Sequence, residues 1–299
     1  MNLHTFVRFS ARTAFAGGVL AALAGCRTGA DVVQERIRFS EIRDRYFVTV
    51  LQLNPVTSMY LGGEGWDPAL RGVNGRLRDY RPESLAQEIA FFREIQQARA
   101  SIHPETLTPA ERADHAVLGA QLNFILHQLE DVRYYQRAVD TYVSEPSRGI
   151  GWQIQQMQRE GEGMRGTEAE WRLVIDRLRA IPPYLDAARA NLLAGKESGN
   201  LPEGLTIERD GIAGSNRNAD YFRSNLPDLA RRLIGSRPFA ETLIPELEAS
   251  AVAAATAYVT FASFLEDTYD INAQPDQFVM ERARERRAPR SAHELYAAD

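Results

Sequence analysis

Residues 243–265 read LIPELEASAVAAATAYVTFASFL. Leu243, Leu247, Ala251, Ala254, Tyr258, Phe261 and Leu265 recur in steps of three and four, the spacing that lines apolar side chains along one face of an α-helix for about six turns. The same rhythm returns upstream in Leu118, Leu122, Ile125, Leu129 and Val132. Alternating, strand-like runs are scarce, so the chain is expected to be all-α. Two start signals agree: Thr108-Pro109-Ala110-Glu111 and Thr167-Glu168-Ala169-Glu170 both fit a capping box, in which threonine accepts from a free amide and the glutamate three residues on reaches back.

Extending the pattern predicts helices near 31–62, 83–101, 109–137, 147–160, 168–195 with a bend at Pro182-Pro183, 218–234, 240–268 and 276–298. Loops are expected at Gly62–Pro82 and Lys196–Ser215, where glycine and polar residues accumulate. No internal repeat or dividing linker interrupts the chain. A single multi-helix domain is expected over residues 31–299.

The first 25 residues have a different character. Their only charges are Arg8 and Arg12, followed by an apolar run from Thr13 to Ala24. That run is shorter than the roughly 20 residues a spanning helix needs, and charged, apolar and small residues follow in the order of a signal peptide. It ends in Leu23-Ala24-Gly25-Cys26, and Cys26 is the only cysteine. This is the pattern of a lipoprotein export signal: cleavage between Gly25 and Cys26, and lipid attachment on the Cys26 sulfur. Residues 1–25 are then removed and 26–30 form a short tether. The other reading is an uncleaved anchor followed by an ordinary cysteine. Two or three acyl chains anchor firmly where one binds marginally. The expected location is the cell envelope, facing the periplasm or the outside; Arg27, where retention signals tend to carry aspartate, leans toward the outer membrane. No second apolar run approaches spanning length by this reading.

Of 299 residues, 44% are hydrophobic, ordinary for a soluble fold. Loss of the signal with its two arginines takes the formal charge from −5 to −7, which disfavours nucleic acid as a partner because phosphates select basic surfaces.

Candidate chemical motifs are mostly incomplete. Gly161-Glu162-Gly163-Met164-Arg165-Gly166 fits G-x-G-x-x-G, but a glutamine-rich helical segment precedes it where a dinucleotide site needs a strand. His115 lies one helical turn after Glu111; the pair could ligate zinc, although a structural histidine bonded to a carboxylate is the preferred reading. His103 and His127 have no partner at ligand spacing and read as surface or loop residues. Ser215, in Gly214-Ser215-Asn216, lacks the second glycine of a nucleophile elbow. In Ser291-Ala292-His293-Glu294-Leu295-Tyr296-Ala297, the chain begins H-E-x-x-H and supplies Ala297 in place of the second histidine. Two histidines four apart are needed to hold the metal, with the glutamate taking the proton from bound water.

Several segments resemble the bacterial family known as domain of unknown function 885: Asn54-Pro55-Val56-Thr57 leading to Tyr60-Leu61-Gly62; Leu107 to Asp114; Ile181-Pro182-Pro183-Tyr184-Leu185-Asp186 with Ala188 to Leu192; and Glu294-Leu295-Tyr296. The resemblance runs from about residue 40 to the end. It implies kinship with helical zinc peptidases, often lipoproteins or secreted, whose H-E-x-x-H helix and further glutamate ligand lie in a later half. No metal ligand, catalytic residue or cofactor-binding residue is transferred to a position of this sequence; zinc is expected only with such a C-terminal half. The resemblance therefore implies the N-terminal helical half of a zincin-like peptidase, one wall of a groove.

Two functions follow as expectations. One is a membrane-anchored scaffold or binding domain, or a remnant, without its own catalysis. The other is a part of a zinc-dependent, carboxypeptidase-like enzyme whose metal-bearing half is encoded downstream or lost. The expected partners are the membrane, through Cys26, and a protein or peptide on an exposed helical face. Ala249–Ala262 is the candidate for that face, against the alternative of a core helix packed on all sides.

Overall fold

The computed structural model describes residues 29–159 and 165–270. Its longest pieces are α1 (Gly29–Leu53), α3 (Pro82–Ala100), α4 (Pro109–Leu126), α5 (Val139–Arg159), α6 (Glu168–Ser198) and α10 (Ala240–Thr268). Between them lie α2 (Pro55–Tyr60), α7 (Gly204–Thr206), α8 (Ala213–Asp220) and α9 (Leu226–Ile234), with no strand among the described residues.

The seven residues that set the rhythm of α10 are all fully buried. Around them α10 packs most extensively on α6, and also on α8, α9 and the turns that join these. The main apolar core runs from Phe39 of α1 through Phe92 and Ile95 of α3, Leu118 and Leu122 of α4, and Trp171, Leu178 and Leu192 of α6 to Leu265. By length and composition α10 could also cross a membrane, in contrast to the sequence expectation for this stretch, but half of its most apolar window is buried inside the protein.

Both capping boxes form. Thr108 Oγ1 accepts from the Glu111 amide while Glu111 accepts from the Thr108 amide, and Thr167 and Glu170 repeat the arrangement. Arg36 of α1 also donates to the Glu111 carboxylate at 2.9 Å, and with the Thr108 donors it lowers the Glu111 pKa to about 2.

Several predicted boundaries move, each for a local reason. The 31–62 helix is two helices, because the ring of Pro55 excludes a helical conformation at Asn54, whose φ is −122° and ψ 69°. Helix α1 begins at Gly29, inside the expected tether. The 109–137 helix ends as α4 plus a π turn over His127–Asp131, followed by Arg133 at φ +47°. Asn200 holds that left-handed residue by donating to the carbonyls of Val132 and Arg133 at 2.9 and 3.1 Å. Helix α5 starts at Val139, not 147, and carries Pro146 within it. A proline leaves the carbonyl four residues back, here that of Tyr142, without its helical donor; one residue on, the Val143 carbonyl accepts from Tyr258 Oη at 2.9 Å and Asn218 Nδ2 at 2.8 Å.

Helix α6 continues through Pro182 and Pro183 to Ser198 and ends at Gly199, φ +75°. The expected loop at 196–215 is helical from Gly204, with π turns at Ile207–Ile212 and Tyr221–Asn225 flanking α8. Glycine conceals this: a Cβ on Gly211 would stand 2.7 Å from both Leu265 and Val139, so glycine here serves close packing rather than a loop. The helix expected over 276–298 lies outside the described residues.

In urea titrations, Leu247→Ala should lower unfolding stability by about 2–5 kcal/mol through lost transfer energy and the cavity left behind. Val252→Ala, on the exposed side of the same helix, should change it by under about 0.5 kcal/mol. Similar losses from both would contradict the assigned faces.

Candidate functional site

A buried ion pair lies where α1 meets α3. Arg78, in the extended segment before α3, donates through Nη2 to both Glu88 carboxylate oxygens at 2.7 Å, and both side chains are under a tenth exposed. Its Nη1 donates to Asn54 Oδ1 at 2.5 Å, while Asn54 donates to the Val50 carbonyl at 2.7 Å. The residue at the Pro55 break thus ties the end of α1 to the ion pair. The guanidinium lies 5.1 Å from the centre of the Tyr80 ring. Above the pair opens a cleft of about 320 Å³, walled by Val50, Phe92, Phe124, Leu129 and Tyr134. This is room for one apolar side-chain-sized group beside a few polar atoms.

Behind Tyr80 the core holds a cage of phenols. Tyr80, Tyr142 and Tyr184 meet edge to face, with ring centres 4.9, 5.7 and 6.1 Å apart. Asn191 of α6 donates to the Tyr80 carbonyl at 2.9 Å and to Tyr142 Oη at 3.2 Å, and Tyr142 Oη donates to the Tyr135 carbonyl. Burial raises the pKa of all three phenols, so they remain protonated donors at neutral pH.

Tyr184 donates to half-buried Glu145 at 3.1 Å. Burial raises the Glu145 pKa against the pull of Arg78, the Tyr184 hydrogen bond, Arg148 and Arg177. Arg177 itself is buried and pairs with carbonyls instead of a carboxylate: Nε donates to Arg76 O at 3.1 Å and Nη1 to Gly149 O at 2.9 Å. Burial lowers its pKa to about 10. This network fixes α1, α3, α5 and α6 relative to one another.

The residues singled out by sequence are dispersed. His115 is buried, but its partner is Arg99, not a carboxylate: Nε2 faces the Arg99 carbonyl at 3.2 Å and Nδ1 faces Arg99 Nη2 at 3.3 Å. The first contact places the proton on Nε2 and leaves Nδ1 as acceptor. Glu111 is engaged by Arg36 and Thr108. His103, largely exposed in a loop, lies 2.7 Å from Glu35; His127, also exposed, lies 2.9 Å from Asp131. No group of three or more histidine, cysteine or acidic residues able to hold a metal occurs among the described residues. Ser215 is fully buried on α8. Of the glycine-rich motif, Arg165 and Gly166 are described: Gly166, at φ +79°, packs beneath Trp171, whose indole donates to the Arg165 carbonyl at 2.9 Å. The remaining motif residues, Gly25 and Cys26, and the His293-Glu294 segment lie outside the described residues.

The Ala249–Ala262 stretch is neither wholly exposed nor packed on all sides. Ala251, Ala254, Ala255, Tyr258, Phe261 and Ala262 are buried, whereas Ala249, Val252, Ala253, Thr256, Val259 and Thr260 are exposed. Between Glu248 and Glu266 there is no charged residue. Beside this face runs a groove of about 400 Å³ against α6, with Pro182, Leu185, Ala253, Thr256 and Ala257 in its walls and Asp186 and Arg189 at the α6 side.

Comparison with known families decides the affiliation. A family model described as bacterial protein of unknown function (DUF885) matches residues 55–299. The chain belongs to the DUF885 family. Among curated proteins no match is found. The DUF885-like segments read from the sequence supply parts of the polar core: Asn54 accepts from Arg78, Tyr184 reaches Glu145, and Asn191 joins Tyr80 to Tyr142. Arg78 and Glu88 carried no sequence signal beyond their types, because an arginine ten residues from a glutamate is ordinary and only the fold brings them together. In this DUF885 chain the polar network joins α1, α3, α5 and α6, and the α10 side of the α6–α10 face is exposed and uncharged, with Asp186 and Arg189 on the α6 side.

Glu88→Gln should destabilise the fold by about 3–5 kcal/mol in urea melts, because it leaves Arg78 buried without its counter-charge. The double variant Arg78→Met/Glu88→Leu should recover most of that loss; a double variant as unstable as the single one would refute the pairing. Glu145 gives a pH signature. Because its folded pKa is raised, ionising it costs stability as pH climbs from the unfolded value through the folded one. Glu145→Gln should therefore match the parent below pH about 4 and become more stable than it as pH rises; a constant difference across pH would remove the assignment.

Proposed function

We propose that this chain is a lipid-anchored module of the cell envelope that has no self-contained catalytic site and binds a protein or peptide on the α6–α10 face. The observation that carries the reading is the exposed side of α10, uncharged from Ala249 to Leu265 and bordered by the groove at Pro182 and Leu185. Contiguous exposed apolar surface of this kind is characteristic of interaction sites, and an uncharged centre with Asp186 and Arg189 at its edge has the layout of an apolar interface core with a polar rim. The suitable occupant is an apolar helix.

Anchoring is proposed from Leu23-Ala24-Gly25-Cys26, with lipid on Cys26 and the domain facing the periplasm or the outside. A second reading is supported by DUF885 membership through residue 299 and by the incomplete His293-Glu294 motif. In it the module is the N-terminal part of a zinc-dependent peptidase, and the α6–α10 face receives the metal-bearing helices. No step of such chemistry is assigned to residues described here.

Replacing Cys26 with serine should move the protein out of the detergent-soluble lipoprotein fraction and block signal cleavage, followed by membrane fractionation and mass; an unchanged mass and fraction would refute the anchor. A photo-crosslinking residue at position 256 should yield a discrete adduct in envelope preparations that Val252→Arg abolishes. Absence of any adduct would count against the binding face. An adduct carrying H-E-x-x-H would favour the peptidase reading.

A further inference from the structure

A second exposed apolar surface lies on the opposite part of the sequence. On α1, Val33, Ile37 and Phe47 are 54, 46 and 40% exposed. With Ser40 and Asp44 they advance by four, three, four and three residues, so all five lie along one side of the helix. Phe47 meets Trp66 edge-on at 4.9 Å between ring centres. Trp66 is 52% exposed and lies against Gly62, next to exposed Leu61 and Tyr60; the Tyr60 ring in turn lies 4.7 Å from that of Trp152. The stripe on α1 therefore ends in an aromatic shoulder built from three separate elements.

That shoulder is held firmly. Leu70 and Val73, from the same turn region, are buried against Leu51 and Val48 of α1. Glu64, two residues before Trp66, accepts from the Gly72 amide at 2.7 Å, and Asp67, the residue after it, accepts from Ala69 N at 2.8 Å. Asp44, the acid within the stripe, lies 3.3 Å from Arg43. Each of these three acids is thus engaged by a neighbour, and tyrosine and tryptophan are the side chains suited to a surface that is apolar on one side and wet on the other.

We propose that this face, the α1 stripe with the Tyr60–Trp66 shoulder, rests on the lipid bilayer and places its aromatic rings among the headgroups. The proposal builds on the anchor reading. Cys26 precedes Gly29 by three residues, at most about 11 Å of extended chain, so lipid on Cys26 brings the start of the stripe to the bilayer. Phe47 is about 27 Å further along the helix axis. A helix lying flat then touches the membrane at both ends of one side, which orients the domain instead of leaving it to swing on a tether. The α6–α10 face belongs to other elements and stays available for its partner.

The test uses the full chain reconstituted into phosphatidylethanolamine–phosphatidylglycerol vesicles, with ordinary or dibrominated acyl chains, reading flotation and tryptophan emission separately. Trp171 is fully buried and serves as an internal reference. Brominated lipid should quench the parent, the Trp66→Phe/Trp152→Phe variant, which keeps only buried Trp171, should lose most of the quenchable emission, and Val33→Glu/Ile37→Glu, at exposed positions, should reduce quenching at least twofold while still floating. Flotation with identical emission in both lipids would leave the anchor intact and overturn the docking. Failure to float would overturn the anchor reading and, with it, this orientation. Quenching absent in vesicles but Trp66 shielded in cross-linked dimers would assign the face to a second copy and likewise overturn the proposal.

Discussion

Burial of one side of α10 against α6 is the contact on which the remaining architecture depends. Seven residues over about six turns leave water completely on that side, each large one contributing on the order of 2 kcal/mol. Alanines at 251, 254 and 255 keep the surface low, and Gly211 lets the preceding π turn come close to Leu265. Because α6 spans Glu168–Ser198, the same helix also reaches the polar core on its other side, through Arg177, Tyr184 and Asn191. The apolar and polar centres are therefore two faces of one helix.

The polar centre follows a different constraint: every charge taken out of water needs a partner. Arg78 has Glu88 and Asn54, Glu145 has Tyr184, and Arg177 donates from Nε and Nη1 to the carbonyls of Arg76 and Gly149, while its Nη2 is buried without a hydrogen-bond partner. The Val143 carbonyl beside Pro146 is met by Tyr258 and Asn218. A buried pair adds little net stability over apolar packing, but losing one member is costly. Such a network favours one arrangement of the helices over its alternatives, and the family-like segments supply three of its members. Its role is to fix the outer faces, and those faces carry the functional proposals: one uncharged along α10, one aromatic along α1.

The legibility of these features varied with the range of the interactions that create them. Both threonine capping boxes were readable because donor and acceptor are three residues apart. The buried side of α10 was readable because burial imposes a period. The Asn54 break was missed because the apolar pattern continues across it, and the start of α5 was placed eight residues late, just past Pro146, although the helix runs through that proline. The carboxylate partner expected for His115 is replaced by Arg99, which lies on another helix and so left no mark at helical spacing. The helical stretch from Gly204 was mistaken for a loop because its glycines answer to neighbours distant in sequence.

By itself, the sequence determined an all-α fold, the inward side of its long helices and DUF885 affiliation, since periodicity and local caps act within a few residues. Only the tertiary structure decided which charges would be buried together, which side of α10 would remain open, and that Phe47, Trp66, Tyr60 and Trp152 would share one surface. Those outcomes depend on contacts between residues up to about a hundred positions apart, and a pairing at that distance is set by how the helices pack, not by any spacing along the chain.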